Sequence, residues 1–171
     1  MKTVLLLRHA KSSWDAPATP DFLRPLAPRG RKAAPRVAAY MARAGLFPDR
    51  VLCSSARRAV ETWELVAPAL GEKIQVTVTE ELYHAAPAHL LEMIRARPSD
   101  ESMVLLIGHN PSFEDLALSL AGAGDPKALE ELDRKYPTAA LAVLDFDVGL
   151  WTGVREGGGY LRSLVVPKRL P

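Results

Sequence analysis

Cysteine is almost missing from this sequence. Cys53 stands alone among 171 residues, which excludes an internal disulfide and fits a reducing compartment. Long apolar runs are missing too: none approaches the ~20 residues of a membrane helix, and the run after Met1-Lys2-Thr3 is too short for a signal peptide. Neither sign of charge dominates. The net charge is +2, and no Lys/Arg block is long enough for a nucleic-acid or membrane patch. Trp14, Trp63 and Trp151 are too scattered for a platform that stacks single strands. The histidines (His9, His84, His89 and His109) form neither His-Glu-x-x-His nor a Cys/His quartet, so no metal is expected. Repeats and low-complexity linkers are also lacking. What is left is expected to be a cytoplasmic protein of one domain over residues 1–171, with an ordinary globular composition.

Against these absences, two stretches stand out. Val4-Leu5-Leu6-Leu7 ends abruptly in Arg8-His9-Ala10, and Met103-Val104-Leu105-Leu106-Ile107 ends in Gly108-His109-Asn110-Pro111. Apolar runs without alternation suit strands covered on both faces, as in a parallel sheet between helix layers. Ligands of open α/β sheets gather at the carboxyl ends of such strands. Two histidines would then share one sheet edge.

The rest of the chain alternates between the two periods. Residues 11–28 form a long Pro-, Asp- and Ser-rich loop, a length that is often functional. Helical patterning covers 29–44, where Pro35 predicts a late start or a kink. A strand at 50–53 runs into Ser54-Ser55, either of which can cap a helix over 56–70. A strand at 74–79 and a helix at 88–97 come before the second histidine strand. A helix over 112–120 follows it, with Pro111 near its first turn. Gly122-Ala123-Gly124-Asp125-Pro126 reads as a break before a short helix at 127–133. Strands at 138–146 and 160–166 close the chain, the second reached through the glycine turn 157–159. The pattern predicts an α/β three-layer sandwich, with a mainly parallel central sheet flanked by helices.

Arginines join the histidines. Arg8 precedes His9, Arg24 lies in the long loop, and Arg57 and Arg58 open a helix. The guanidinium fork suits phosphate oxygens, and converging arginines with two histidines point to phosphoryl chemistry. Cys53 does not supply an alternative, because a Cys-x5-Arg loop would need arginine at Ala59.

At these residues the chain resembles the histidine phosphatase superfamily, which has the phosphoglycerate-mutase-like fold. Arg8-His9-Ala10 is similar to its Arg-His-Gly signature, and Gly108-His109-Asn110 to its second-histidine segment. The stretch from Ser54 through Arg58 to Thr62 is similar to Ser-Pro-x-x-Arg-Ala-x-Gln-Thr, which selects Arg58 over Arg57. The short length, Arg24-Pro25-Leu26 and the late Leu161…Pro167-Lys168 most resemble the SixA-type phosphohistidine phosphatase branch. The resemblance implies that His9 takes the phosphoryl group. It implies that Arg8, Arg58 and His109 bind the phosphate oxygens, with Arg24 as a further phosphate contact. It requires no cofactor.

Three departures bear on specificity. Ala10 replaces the signature glycine, and Ser55 replaces a proline. Where many members carry a Leu-x-Glu proton donor, this chain has Leu82-Tyr83-His84, preceded by Glu80 and Glu81. His84 is a candidate substitute donor, and Glu81 a weaker one. An alkoxide needs such an acid, whereas ring-protonated phosphohistidine can release neutral imidazole. The expected activity is therefore hydrolysis of phosphohistidine in a protein. The alternatives are a small-molecule phosphomonoesterase, or a phosphate- or phosphoprotein-binding module without turnover. A phosphorylated protein or a small phosphorylated substrate is the expected partner, on a monomer that binds neither nucleic acid nor membrane.

Overall fold

Unalternating apolar sequence builds the centre of the sheet. In the computed structural model, which describes residues 1–71 and 73–171, β1 (Lys2–Arg8) pairs in parallel with β4 (Met103–Gly108), placing Arg8 opposite Gly108. β2 (Arg50–Ser54) lies beyond β4, and β3 (Gln75–Thr79) is the exposed edge, both parallel to their neighbours. On the other side of β1, β6 (Leu141–Phe146) and β7 (Gly159–Val165) run antiparallel, and β5 (Ala121–Gly124) closes that edge in parallel with β7. The sheet order is β3-β2-β4-β1-β6-β7-β5. Four pairings of six are parallel.

The two faces of β1 feed two cores. Val4 and Leu6 pack with α3 (Pro87–Arg95), α4 (Ser112–Leu120) and α5 (Pro126–Arg134), while Leu5 and Leu7 pack with α1 (Pro28–Arg43) and α2 (Arg57–Leu70). Full burial of a Val or Leu side chain is worth about 1.5–3 kcal/mol, so this strand is among the best anchored in the fold. No helix among the described residues is long and apolar enough to cross a membrane.

Several details differ from the sequence reading. α1 begins at Pro28 and continues through Pro35, with no late start, because tertiary packing on its Ala34–Val37–Met41 face outweighs one missing backbone bond. The Ala-Gly-Ala-Gly segment read as a break is β5. A Cβ at Gly122 would lie 1.9 Å from the Gly157 carbonyl oxygen, so only glycine permits that approach. β6 starts three residues later than the apolar pattern, because Ala139 adopts φ 58° and turns the chain. Its N–H lies within bonding distance of both the Arg8 and His9 carbonyls, at 3.1 and 3.0 Å. That turn clamps the end of β1.

Candidate active site

β1 and β4 deliver His9 and His109 to the same end of the sheet, as their parallel register requires. The ring centroids are 5.2 Å apart. Gly108 allows this closeness: a Cβ there would meet the Phe113 ring at 2.7 Å. The first turn of α2 brings in Arg58. Its Nε lies 3.4 Å from His9 Nε2, and its Nη2 lies 3.4 Å from His109 Nδ1. His9, Arg58 and His109 each expose only 6–7% of their surface.

The hydrogen bonds fix the tautomer of His9. His9 Nδ1 is 2.7 Å from the Ala10 carbonyl, which can only accept, so Nδ1 carries the proton and Nε2 keeps its lone pair toward Arg58. Burial foremost, with His109, Arg58 and Arg8 close by, lowers the His9 pKa to about 3. Burial first and Arg58 next lower that of His109 to about 3 as well. Both rings are therefore neutral at physiological pH.

Arg8 and Arg24 frame this pair. Arg8 Nη1 donates to the Tyr136 carbonyl at 2.9 Å, while its buried Nε has no partner among the described residues. Tyr136 is itself locked, since its hydroxyl donates to the Leu6 carbonyl at 2.5 Å. Arg24 is buried under Trp14, whose ring centroid is 3.5 Å from the guanidinium carbon, and it donates to Ser12 Oγ. Arg24 reaches Arg58 through a shared carboxylate: Asp21 accepts from Arg24 Nε and Arg58 Nη2, each at 3.1 Å.

Asp21 is a residue that sequence reasoning missed. Besides the two arginines, the Tyr83 hydroxyl donates to it at 2.5 Å, and its backbone carbonyl accepts from Arg58 Nη1 at 2.8 Å. The Tyr83 hydrogen bond foremost, with Arg58 and Arg24, holds its pKa at about 2. Nothing in a Pro-rich loop singles out this carboxylate.

Two buried hydroxyls were missed as well. Ser54 was a candidate helix cap, but Ala56 stands at the cap position with no side-chain bond. Ser54 Oγ instead lies 2.7 Å from His109 Nε2 and accepts from Ala56 N–H. Thr62, one turn beyond Arg58, donates to the Arg58 carbonyl and accepts from Ala10 N–H at 3.0 Å, tying α2 to the loop after β1. A signal for Thr62 existed: polar residues in the inward stripe Arg58–Thr62–Val66 of a helix demand a partner.

The departures resolve locally. Ala10 avoids the left-handed region, so it fits without strain at the glycine position. Ser55 N–H bonds the Thr79 carbonyl across the end of β3, while its buried hydroxyl has no partner among the described residues. His84 is exposed and stacks on Tyr83 at 3.9 Å, on the rim of the pocket, while Tyr83 meets His109 edge-on. Glu81 is exposed and pairs with His89. The structure thus brings together Arg8, His9, Arg58 and His109, joins Arg24 through Asp21, sets His84 on the rim through Tyr83, and turns Glu81 toward His89.

Ser54 has a measurable role in this arrangement. A hydroxyl can donate to or accept from His109 Nε2, so it supports either ring tautomer. Ser54→Ala is expected to lower kcat/KM about tenfold, as the loss of one buried hydrogen bond worth ~1–1.5 kcal/mol implies. An unchanged kcat/KM in steady-state assays would remove Ser54 from the site.

The model for the histidine phosphatase superfamily (branch 1) matches residues 4–86. An uncharacterized Mycobacterium tuberculosis protein is 36% identical over 165 residues, covering 95% of this chain and all of the relative. Among solved structures, a candidate phosphohistidine phosphatase, SixA from Agrobacterium tumefaciens, superposes with a TM-score of 0.82 at 31% identity, covering 97% and 98% of the two chains. Its counterpart from Nakamurella multipartita gives 0.81 at 30%, covering 97% and 96%.

Proposed function

The chain belongs to the histidine phosphatase superfamily in its SixA-type branch, and on that premise we propose that it hydrolyses phosphohistidine in a protein through a phosphoryl intermediate on His9. His9 Nε2 attacks phosphorus in line. The substrate's N–P bond breaks, and its ring leaves as neutral imidazole, keeping the proton it already carried. Water then attacks the phosphoryl group on His9, giving inorganic phosphate and restoring the neutral ring.

Each pocket residue has a share in this step. The fork of Arg58 and the free Nε of Arg8 would bind equatorial oxygens, where charge spreads in the transition state. His109 Nδ1 accepts from Arg58 Nη2 here, and when a phosphate takes that N–H the ring shifts its proton so that Nδ1 donates to the phosphate. The Ser54 hydroxyl supports that tautomer by donating to Nε2. Asp21 aligns Arg58 and Arg24, and an incoming phosphate competes with it for Arg58 Nη2.

The observation that carries the N–P reading is the hydrogen bonding of Asp21, whose carboxylate accepts from Arg24 Nε, Arg58 Nη2 and the Tyr83 hydroxyl. This carboxylate touches the phosphate-binding arginines, yet with a pKa of about 2 it is ionised at neutral pH and has no proton to give an alkoxide. Phosphohistidine needs none.

The test compares leaving groups directly. With phosphohistidine peptide, phosphoramidate, phosphoserine and glycerol phosphate as substrates, kcat/KM for the N–P compounds is expected to exceed that for alkyl phosphates by about a hundredfold or more, the usual worth of a general acid. Equal rates on glycerol phosphate would overturn the reading.

A further inference from the structure

A cavity of about 740 Å³ lies beside the histidine pocket, walled by the start of α1, the end of α5, the 137–138 turn and the chain after β7. None of His9, Arg58 and His109 lines it. Its size is within the range of small-molecule sites. Its lining is unusual for a molecule of net charge +2: seven cations face it against a single carboxylate, Glu131.

The pairing of those cations is one-sided. Arg169 bonds Glu131, and Arg36 donates to the Leu170 carbonyl. Lys11, Arg29, Arg134, Lys135 and Lys168 form no ion pair among the described residues. The end of α5 accounts for Arg134 and Lys135, because cations are favourable near a helix C-terminus. It does not account for the rest. Arg29 sits in the first turn of α1, where the macrodipole disfavours a cation, and no acidic residue occupies that turn. Lys11 and Lys168 come from two further segments. All five residues are exposed, and the summed field of five positive charges around one concavity favours an anion there.

The geometry points to a second anion site, and we propose that this cavity binds a polyphosphate group, two or three linked phosphates either free or carried by a nucleotide. A monophosphate would be saturated by two or three of these cations, whereas a triphosphate, with about four negative charges at neutral pH, balances five. A concave pocket between five chain segments also favours a compact ligand over a flat protein face. The site abuts the nucleophile: Lys11 is two residues after His9, and the turn containing Pro137 and Thr138 leads into Ala139, whose N–H meets the Arg8 and His9 carbonyls. The proposal holds whatever substrate the histidine pocket hydrolyses.

The test uses inorganic tripolyphosphate and ATP as probes, with orthophosphate as control, in calorimetric titrations of the full chain. Tripolyphosphate is expected to bind wild type, to weaken as salt is raised, and to weaken by roughly tenfold or more in Arg134→Glu/Lys168→Glu. Turnover of a small phosphorylated substrate should be unchanged in that variant, which also verifies its fold. Arg58→Ala should leave tripolyphosphate binding intact. Equal affinity for both probes identifies the phosphate chain as the ligand, and tighter ATP binding identifies a nucleotide. Binding lost in Arg58→Ala but kept in the charge-reversed variant would place the anion in the histidine pocket and overturn the proposal. So would absence of tripolyphosphate binding, including the case where charge reversal only raises KM for a phosphoprotein, which would make the cavity a docking surface.

Discussion

His9→Ala is expected to lower turnover by about four orders of magnitude or more, the scale seen when a catalytic nucleophile is removed. The geometry gives the reason. Nε2 is held bare by the Nδ1–H bond to the Ala10 carbonyl, whereas both nitrogens of His109 have partners, Nε2 at Ser54 Oγ and Nδ1 at Arg58 Nη2. Brief reaction with labelled phosphohistidine, followed by quenching, should leave acid-labile, base-stable phosphate on wild type and none on the variant. A wild type that binds phosphate but neither labels nor turns over would instead be a binding module. A second readout is independent of substrate. Free histidine titrates near 6.5, whereas folded His9 does so at about 3, so between these values the unfolded chain binds a proton that the folded one refuses. Stability therefore falls as pH drops below about 6.5, and His9→Ala should flatten part of that decline in thermal midpoints.

How much of this could be read from sequence follows from which forces act locally. The strands β1 and β4 were legible because burial on both faces removes alternation, and their ends put His9 and His109 together once parallel pairing is assumed. The family motifs then separated Arg58 from Arg57, and the structure gives the physical difference: Arg58 is buried between the histidines, while Arg57 is exposed on the next position of the helix. The antiparallel insertion of β6 beside β1 was not legible, since an apolar strand reads alike in either direction. β5 was invisible for a different reason. Its Ala-Gly-Ala-Gly sequence has no strand propensity and pairs only because the Gly157 backbone approaches Gly122 closely. Asp21 and Ser54 show the same limit at the site, because their roles depend on partners many residues away, at Arg58 and His109.

Arg58→Ala tests the part of the site where those long-range contacts converge. Turnover is expected to fall by about two to three orders of magnitude, as for loss of other preorganised transition-state donors, or ~3–4 kcal/mol. A fall below threefold would sink the assignment. The loss should appear mainly in kcat, because Arg8 remains to hold ground-state phosphate while the charge that develops at phosphorus loses its fork. Arg58→Lys should recover little, since an ammonium cannot face His9, His109 and Asp21 from three nitrogens at once. The histidines supply a signature that a merely structural role would not. The Arg58 charge lowers the pKa of both rings, so its removal must raise both toward 6.5, while burial still opposes the charged form. Because the nucleophile must be neutral, the acid limb of kcat/KM should move to higher pH in Arg58→Ala. Asp21, relieved of one of its cations, should become easier to protonate and move the same way. The fold should tolerate the change, since the Asp21 side chain is 50% exposed and water can replace the missing partner. A large kcat loss, a raised acid limb and a retained fold together would mark Arg58 as the group that both binds the transition state and keeps the nucleophile bare.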